Sequence, residues 1–182
     1  MNPKEQIKKG RFLSLILRHN PGKIDIQLDE EGWTDVEILI RQMNKFNRNI
    51  SFEELDYLVQ HNPKKRYAFS QDKSRIRANQ GHSVKVDLGL KPATPPDELF
   101  HGTADRFIES ILNEGLVKRN RHHVHLSADI ETASKVGKRH GRLVILKVDA
   151  RQMLTKGFQF YISENGVWLC DHVPSQFLDT MT

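Results

Sequence analysis

Apolar positions recur three and four apart through residues 4–19, where Phe12, Leu13, Ile16 and Leu17 share one face, and this spacing predicts a helix. Asn20-Pro21 ends it, because a residue before proline avoids the helical region. Arg18 and His19 then occupy the last turn, where cations also suit the negative end of the helix dipole. Ile24-x-Ile26-x-Leu28 alternates and predicts a short strand, with Asp29-Glu30-Glu31-Gly32 turning out of it. Thr34-x-x-Glu37 and Ser51-x-x-Glu54 read as capping boxes opening two more helices. The first carries Val36, Leu39, Ile40 and Met43 inward; the second carries Leu55, Leu58 and Val59. Two strand-like runs follow, Arg66-Tyr67-Ala68-Phe69 and Arg75-Ile76-Arg77-Ala78, around the turn Ser70-Gln71-Asp72-Lys73. Three helices and a basic hairpin is the order of a winged helix, which commonly binds nucleic acid and in many proteins serves only protein contacts.

Gly89, Pro92, Pro95 and Pro96 make the densest cluster of chain breakers, which predicts a lobe at 1–90, a linker at 91–96 and a second lobe at 97–182. In the second lobe Glu98-Leu99-Phe100 reads as a strand leading into His101-Gly102-Thr103. A helix is predicted over 104–113 with Phe107, Ile108, Ile111 and Leu112 inward, stopped by Gly115. Another helix is predicted over 128–139. Strands are predicted at 143–148, 158–162 and 167–169, the last two joined by Glu164-Asn165-Gly166. The predicted class is α+β, strand-rich in its second half with two helices near the start of that half.

Composition narrows the setting. With 182 residues, 37% hydrophobic and 28% charged, the chain is a folded protein with no apolar run of membrane-spanning length. The opening Met1-Asn2-Pro3-Lys4-Glu5 has no apolar signal core, and the single cysteine fits a reducing compartment, so the cytoplasm is expected. Cys170, in Val167-Trp168-Leu169-Cys170, reads as a packed thiol. The net charge of +5 is uneven: residues 1–96 hold 17 Lys and Arg against 12 Asp and Glu, and residues 97–182 hold 11 of each. The first lobe is therefore the one suited to face a polyanion, although a solvated basic surface would show the same count.

Candidate chemistry concentrates in Arg121-His122-His123-Val124-His125-Leu126-Ser127, which holds three of the nine histidines. Read as a strand, it sends Val124 and Leu126 to a packed face and His123, His125 and Ser127 to the other. His123 and His125 could share a zinc ion, but no cysteine pair or His-Glu-x-x-His supplies the remaining ligands, so no metal is expected. No serine stands in a nucleophile elbow. In His101-Gly102-Thr103, Gly102 would let a ligand approach the backbone and the following helix start would offer N–H groups to an anion. The plainer reading is a strand-to-helix turn capped by Thr103, as Ser127 could cap the next helix at Ala128.

Leu17-Arg18-His19, Lys65-Arg66-Tyr67, Gln80-Gly81-His82, His101-Gly102-Thr103, Arg121-x-His123-Val124-His125-Leu126-Ser127, Arg139-His140-Gly141 and Asn165-Gly166-Val167-Trp168-Leu169 occur in this order. Together they resemble the NAD-dependent RNA 2′-phosphotransferases, the KptA-type proteins, over nearly the whole chain. The resemblance implies a winged-helix lobe followed by an ADP-ribosyltransferase-like lobe. It implies removal of an internal 2′-phosphate from a tRNA-like RNA, with NAD consumed as co-substrate and ADP-ribose 1″,2″-cyclic phosphate released. It assigns catalysis to Arg18, His19, Arg66 and Arg121, in the cleft between the lobes. It assigns NAD contacts to His101, Gly102, Thr103, His125, Ser127, Arg139, His140 and Val167.

The chemistry of these residue types agrees. Arginine forks fit phosphate oxygens bidentately, and imidazole moves protons near neutral pH. Val167 stands where many ADP-ribosyltransferases carry a catalytic glutamate; a phosphate is already an anionic nucleophile, and a carboxylate beside it would repel it. Glu164 reads as a hairpin-turn residue. A monomer is expected. Two other functions stay open at this stage: an ADP-ribosyltransferase acting on phosphorylated nucleic-acid ends, and a nucleic-acid-binding module without catalysis.

Overall fold

Asn2 opens α1 (Pro3–Arg18) with a full capping box: its side chain accepts from Glu5 N–H at 2.9 Å and Glu5 accepts from Asn2 N–H at 3.1 Å. The structure is a computed structural model describing residues 1–181, and the chain divides into two units, Met1–Gly89 and a second beginning at Leu90.

In the first unit, α1 buries Leu13, Ile16 and Leu17 and is followed by a 3₁₀ turn, Pro21–Ile24. The strand expected over Ile24 to Leu28 does not form. Asp25 takes the left-handed conformation (φ 56°), which breaks an extended path, yet Ile24 and Ile26 still reach the core. Thr34 is not a helix cap either. It lies in β1 (Thr34–Asp35), and Asp35 caps α2 (Val36–Lys45) by accepting from Ile38 N–H at 2.8 Å. Ser51 and Glu54 do form both legs of a capping box on α3 (Phe52–Gln60). The hairpin of β2 (Tyr67–Phe69) and β3 (Arg75–Ala78) is joined by β1 into an antiparallel sheet ordered β1-β3-β2. Leu17, Leu39, Met43, Leu55 and Ile76 are fully buried at its centre. Each such side chain contributes roughly 1.5–3 kcal/mol relative to exposure.

The second unit begins where Pro92 bridges Tyr161 and Ala93 N–H donates to the Phe160 carbonyl at 2.8 Å, so part of the expected linker is stitched to this unit. β4 (Glu98–Ala104) runs straight through His101-Gly102-Thr103 and does not turn there. A 3₁₀ turn (Asp105–Phe107) precedes α4 (Ile108–Glu114), on which Ile111 is buried while Phe107 and Leu112, expected inside, are exposed. β5 (Leu116–Val117), β6 (Val124–Leu126) and α5 (Ile130–Gly137) follow. Asp129, not Ser127, caps α5 by accepting from Thr132 N–H. β7 (Leu143–Asp149), α6 (Ala150–Thr155), β8 (Tyr161–Ile162), β9 (Trp168–Cys170), β10 (His172–Val173) and β11 (Leu178–Met181) complete the unit. The helix α6 and the edge strand β11 are additions to the sequence-based expectation.

The strands form sheets β11-β7-β4 and β6-β9-β8 and a pair β10-β5, all antiparallel. Their common core takes Leu99, Leu126, Leu146, Val148, Phe160 and Val173. Among the described residues no helix is long and apolar enough to cross a membrane.

Candidate functional site

In the first unit the end of α1 places Arg18 and His19, and the segment before β2 places Arg66. The Arg18 guanidinium Nη2 donates to the Arg66 carbonyl at 3.4 Å. The same carbonyl accepts from Asn79 N–H at 2.9 Å, and Asn79 Nδ2 donates to the Lys65 carbonyl at 2.7 Å. Lys65 has positive φ (40°), so this loop is bent and then clamped by Asn79 at the residue that leads into Arg66. Arg66 also reaches Asn62 Oδ1 at 3.5 Å. His19, the exposed C-cap, hydrogen-bonds through Nδ1 with Ser83 Oγ at 2.9 Å. The N–H groups of Ser83 and Val84 both donate to the Arg18 carbonyl, which closes the helix end.

Tyr67, next to Arg66, ties this corner to α1. Its hydroxyl donates to the Gly10 carbonyl and meets Ser14 Oγ, both at 2.6 Å. The phenol is buried, and burial raises its pKa despite the Ser14 bond and the charges of Arg18 and Arg66. Arg18, His19 and Arg66 are thus brought together as the motifs implied. Ser83, Asn79 and Tyr67, which hold them there, carry no signal in the sequence beyond their nearness to those motifs.

In the second unit only part of the histidine stretch is the strand expected: β6 covers Val124–Leu126 with Val124 and Leu126 buried and His125 on the other face, Ser127 continues it as a bridge to Phe100, and Arg121–His123 is irregular. Register pairs His125 with Leu169 and Leu126 with Trp168, and half-buried Val167 directly precedes these paired residues of β9. Glu164 is exposed in the turn between β8 and β9.

His101 Nδ1 bonds to the His125 carbonyl at 3.0 Å. A carbonyl only accepts, so the proton sits on Nδ1 and Nε2 of the neutral ring is an acceptor. Burial lowers the His101 pKa, and the positive charges of Arg121 and His140 push the same way, outweighing the pull of the His125 carbonyl. Arg121 Nη1 lies 3.1 Å from His125 Nδ1; the guanidinium can only donate, so this ring carries its proton on Nε2. An arginine N–H on Nδ1 and the packing of the His123 ring against Tyr161 (5.5 Å between centroids) give these two histidines uses other than metal binding.

Gly102 has a different reason to be glycine than the sequence suggested. A Cβ there would overlap the Ala133 carbonyl oxygen and come within 2.9 Å of Gly137 N, so the close approach is made by the backbone of α5. Phe100 exchanges both backbone hydrogen bonds with Ser127, at 2.8 Å each. Strand alternation therefore turns the Gly102 N–H and C=O to that same edge, away from β7, just past the bridge. The wall so built offers a backbone donor and acceptor, a ring acceptor on His101 and the Arg121 fork.

Thr103 is buried in β4 opposite Val144 and caps no helix. Arg139 and His140 are exposed in the turn after α5; the charge of His140 is felt at His101, and Arg139 joins none of these contacts.

Comparison with known proteins adds an independent line. The family model for "RNA 2'-phosphotransferase, Tpt1 / KptA family" matches residues 4–172. The chain is 53% identical over 173 residues to "Probable RNA 2'-phosphotransferase" of Fusobacterium nucleatum subsp. nucleatum, covering 94% of this chain and 97% of that one. It is 52% identical over 173 residues to the protein of that description in Hahella chejuensis, covering 95% and 93%. A third, from Trichormus variabilis, is 48% identical over 181 residues and covers both chains fully.

Proposed function

Because the chain belongs to the RNA 2′-phosphotransferase, Tpt1 / KptA family, we propose that Arg18, His19, Arg66 and Arg121 act on the RNA phosphate and that NAD is the co-substrate receiving it. The protein is a transferase acting on RNA that bears a 2′-phosphate. We read the first unit as the winged-helix lobe and the second as the ADP-ribosyltransferase-like lobe. The helix order and β1-β3-β2 sheet support the one, and the two three-stranded sheets bridged at Phe100 and Ser127 support the other.

The Gly102 N–H and C=O, turned away from β7, suit a carboxamide, which needs one donor and one acceptor, and His101 Nε2 suits a ribose hydroxyl. NAD has both groups and supplies an electrophilic anomeric carbon with nicotinamide as its leaving group. His125 and Ser127 line the same wall, with Thr103 behind it in β4 and Arg139 and His140 as outer contacts. Val167 leaves the wall without a carboxylate.

The reaction has two bond exchanges. A 2′-phosphate oxygen bonds to the anomeric carbon as the bond to nicotinamide breaks, which needs no base because the oxygen is already anionic. The ribose 2″-hydroxyl then attacks phosphorus, and the bond between phosphorus and the RNA 2′-oxygen breaks. The hydroxyl proton must end on the departing RNA oxygen, and His19 is the side chain in the set able to carry it. The three arginines hold the phosphate oxygens and offset charge growing at phosphorus, a role in which losing one donor typically costs about 10²–10³-fold in rate. The products are RNA with a 2′-hydroxyl, nicotinamide and ADP-ribose 1″,2″-cyclic phosphate. The expected substrate is a tRNA-like RNA, handled by a monomer in the cytoplasm.

The observation that carries this reading is the match across residues 4–172, which spans all four proposed catalytic residues. The test is product analysis on RNA labelled in an internal 2′-phosphate, with and without NAD. Label in a cyclic phosphate of ADP-ribose, formed only with NAD, is the expected result. Label retained on a stable ADP-ribosylated RNA would favour end modification, and no turnover by folded protein would overturn the catalytic reading.

A further inference from the structure

Short of Arg18 at its end, the outer face of α1 is absorbed by neither the core nor the site. Leu13, Ile16 and Leu17 face inward, and at 100° per residue Lys4, Lys8, Arg11 and Arg18 fall within roughly 80° of arc on the opposite side. Lys4, Lys8 and Arg11 are exposed and line an open groove of about 400 Å³ with Arg48 from the α2–α3 connection. Its floor is apolar, made of Phe12 and Leu15 with Ile7 at the rim. The Arg48 guanidinium lies over the Phe12 ring, 4.9 Å from its centroid, a contact that leaves its N–H groups to an outside acceptor.

Three other cations of the unit are paired with carboxylates. Lys9 pairs with Glu54 at 2.7 Å, Lys73 with Asp56 at 2.9 Å and Arg75 with Asp29 at 3.4 Å. Among the described residues no carboxylate pairs with Lys4, Lys8, Arg11 or Arg48, and Glu5 is engaged with Asn2. Four cations share a groove with no acid in its lining, in the half of the chain that holds the whole excess of positive charge. Such a groove fits a chain of regularly spaced anions better than a single one.

We propose that the α1 groove is a second RNA contact, a track that holds backbone phosphates of the substrate strand several nucleotides away from the 2′-phosphate. The proposal rests on the RNA 2′-phosphotransferase reading above, because it takes the substrate from there. The groove lies along α1 with Arg48 beside it, and the same helix ends at Arg18. Lys4 and Arg18 are 14 positions apart, about 21 Å of helix, which spans roughly six nucleotides at ~3.4 Å per stacked step. Substrates shorter than this use only the site; longer ones also use the groove.

The test compares the full chain with the double variant Lys8→Glu/Arg11→Glu. The substrates are a dinucleotide carrying the 2′-phosphate and RNAs extended stepwise to twelve nucleotides on either flank. For the unaltered protein, KM is expected to fall tenfold or more as one flank reaches about six nucleotides, with a steeper salt dependence for the longer RNA. In the variant the KM for long RNA rises to the dinucleotide's value, while kcat and the dinucleotide's KM are kept. The milder Arg11→Gln should shift the same parameter in the same direction by a smaller factor. Identical length dependence in all three proteins, or equal loss on short and long RNA, would overturn the proposal. If no substrate turns over, it is the enzymatic reading that has failed. Fluorescence anisotropy with a twelve-nucleotide RNA lacking the 2′-phosphate then decides: weaker binding by the variant supports the track, and equal binding overturns it.

Discussion

Gly102 of β4 and Gly137 of α5 lie against each other backbone to backbone, so closely that a Cβ on Gly137 would stand 2.8 Å from the Gly102 carbonyl carbon and 2.9 Å from Thr103 N. The helix can sit on the strand only because both residues lack a side chain. Gly102→Ala is therefore expected to destabilise by about 3 kcal/mol or more, at the upper end of overpacking costs, since the obstacle is main chain. Gly137→Ala should cost a similar amount, and the double variant less than the two together because they open one gap. Urea unfolding monitored by circular dichroism measures all three; additive losses would show that the two glycines act separately.

Arg121 is exposed and bonded to His125, so its removal should spare the fold and damage the chemistry. For Arg121→Ala we expect kcat/KM for 2′-phosphate transfer to fall by about 10²–10³-fold with a melting temperature near that of the parent. Arg121→Lys should recover little, because a lysine lacks the fork. Recovery to within a few-fold by lysine would mean that charge alone matters here.

His101 predicts a pH dependence. Its pKa is held below the ordinary 6.5, so between that lowered value and 6.5 the unfolded chain takes up a proton that the folded chain refuses. Stability should fall as pH drops through this window and be unaffected by this group above it. Protonation of the folded ring also removes the Nε2 acceptor, so stabilisation by NAD in a thermal-shift assay should shrink as pH falls through that lowered value, below 6.5. His101→Ala should show a small NAD shift with no such slope. A constant NAD shift from pH 8 to 5 in the parent protein would count against the assigned role.

Val167 directly precedes β9, and on the proposed reading it stands where a carboxylate would repel the substrate phosphate. Val167→Glu is expected to lower kcat/KM at least tenfold through like-charge repulsion, while Val167→Ala stays within a few-fold. The two variants assayed side by side on one RNA isolate charge from size.

Tyr67 is the tether between the hairpin and α1. Tyr67→Phe removes the bonds to Gly10 and Ser14 and should cost about 1 kcal/mol, with kcat/KM reduced several-fold as Arg66 loses its anchorage beside Arg18. Unchanged kinetics despite the stability loss would show that Arg66 is held by Asn62 and Asn79 without help.

Legibility of the sequence followed periodicity. The alternation from Val124 to Leu126 survived into β6 because one face is buried, and a one-residue slip would expose Val124 and Leu126, while Arg121–His123 ahead of it is irregular. Ser51 and Glu54 were readable because a capping box is local. Thr34 misled because Asp35, one residue on, is also a good cap, and the main chain of Thr34 was wanted by Ile76 in the sheet. Ile24, Ile26 and Leu28 misled because apolar residues can reach a core from irregular backbone. Gly102 read as a break in the chain, whereas the constraint on it comes from α5, about 30 residues later. The edge strand Leu178–Met181 shows three exposed residues and pairs with β7 through its main chain, which side-chain pattern does not record. Arg18, His19, Arg66 and Arg121 were singled out by motifs in register, and their proposed roles rest on that resemblance. Their supports at Ser83 and Asn79 depend on a chain reversal that no local pattern announces.

The buried thiol of Cys170 has a practical consequence. Burial pushes its pKa up to about 12, with the charge of Asp171 adding to the effect, so the folded protein presents almost no thiolate at neutral pH. The parent chain is thus silent toward maleimide dyes until it unfolds. A cysteine introduced at an exposed position such as Lys8 would be the sole labelling point, and a fluorophore there would report RNA arrival without background from the rest of the molecule.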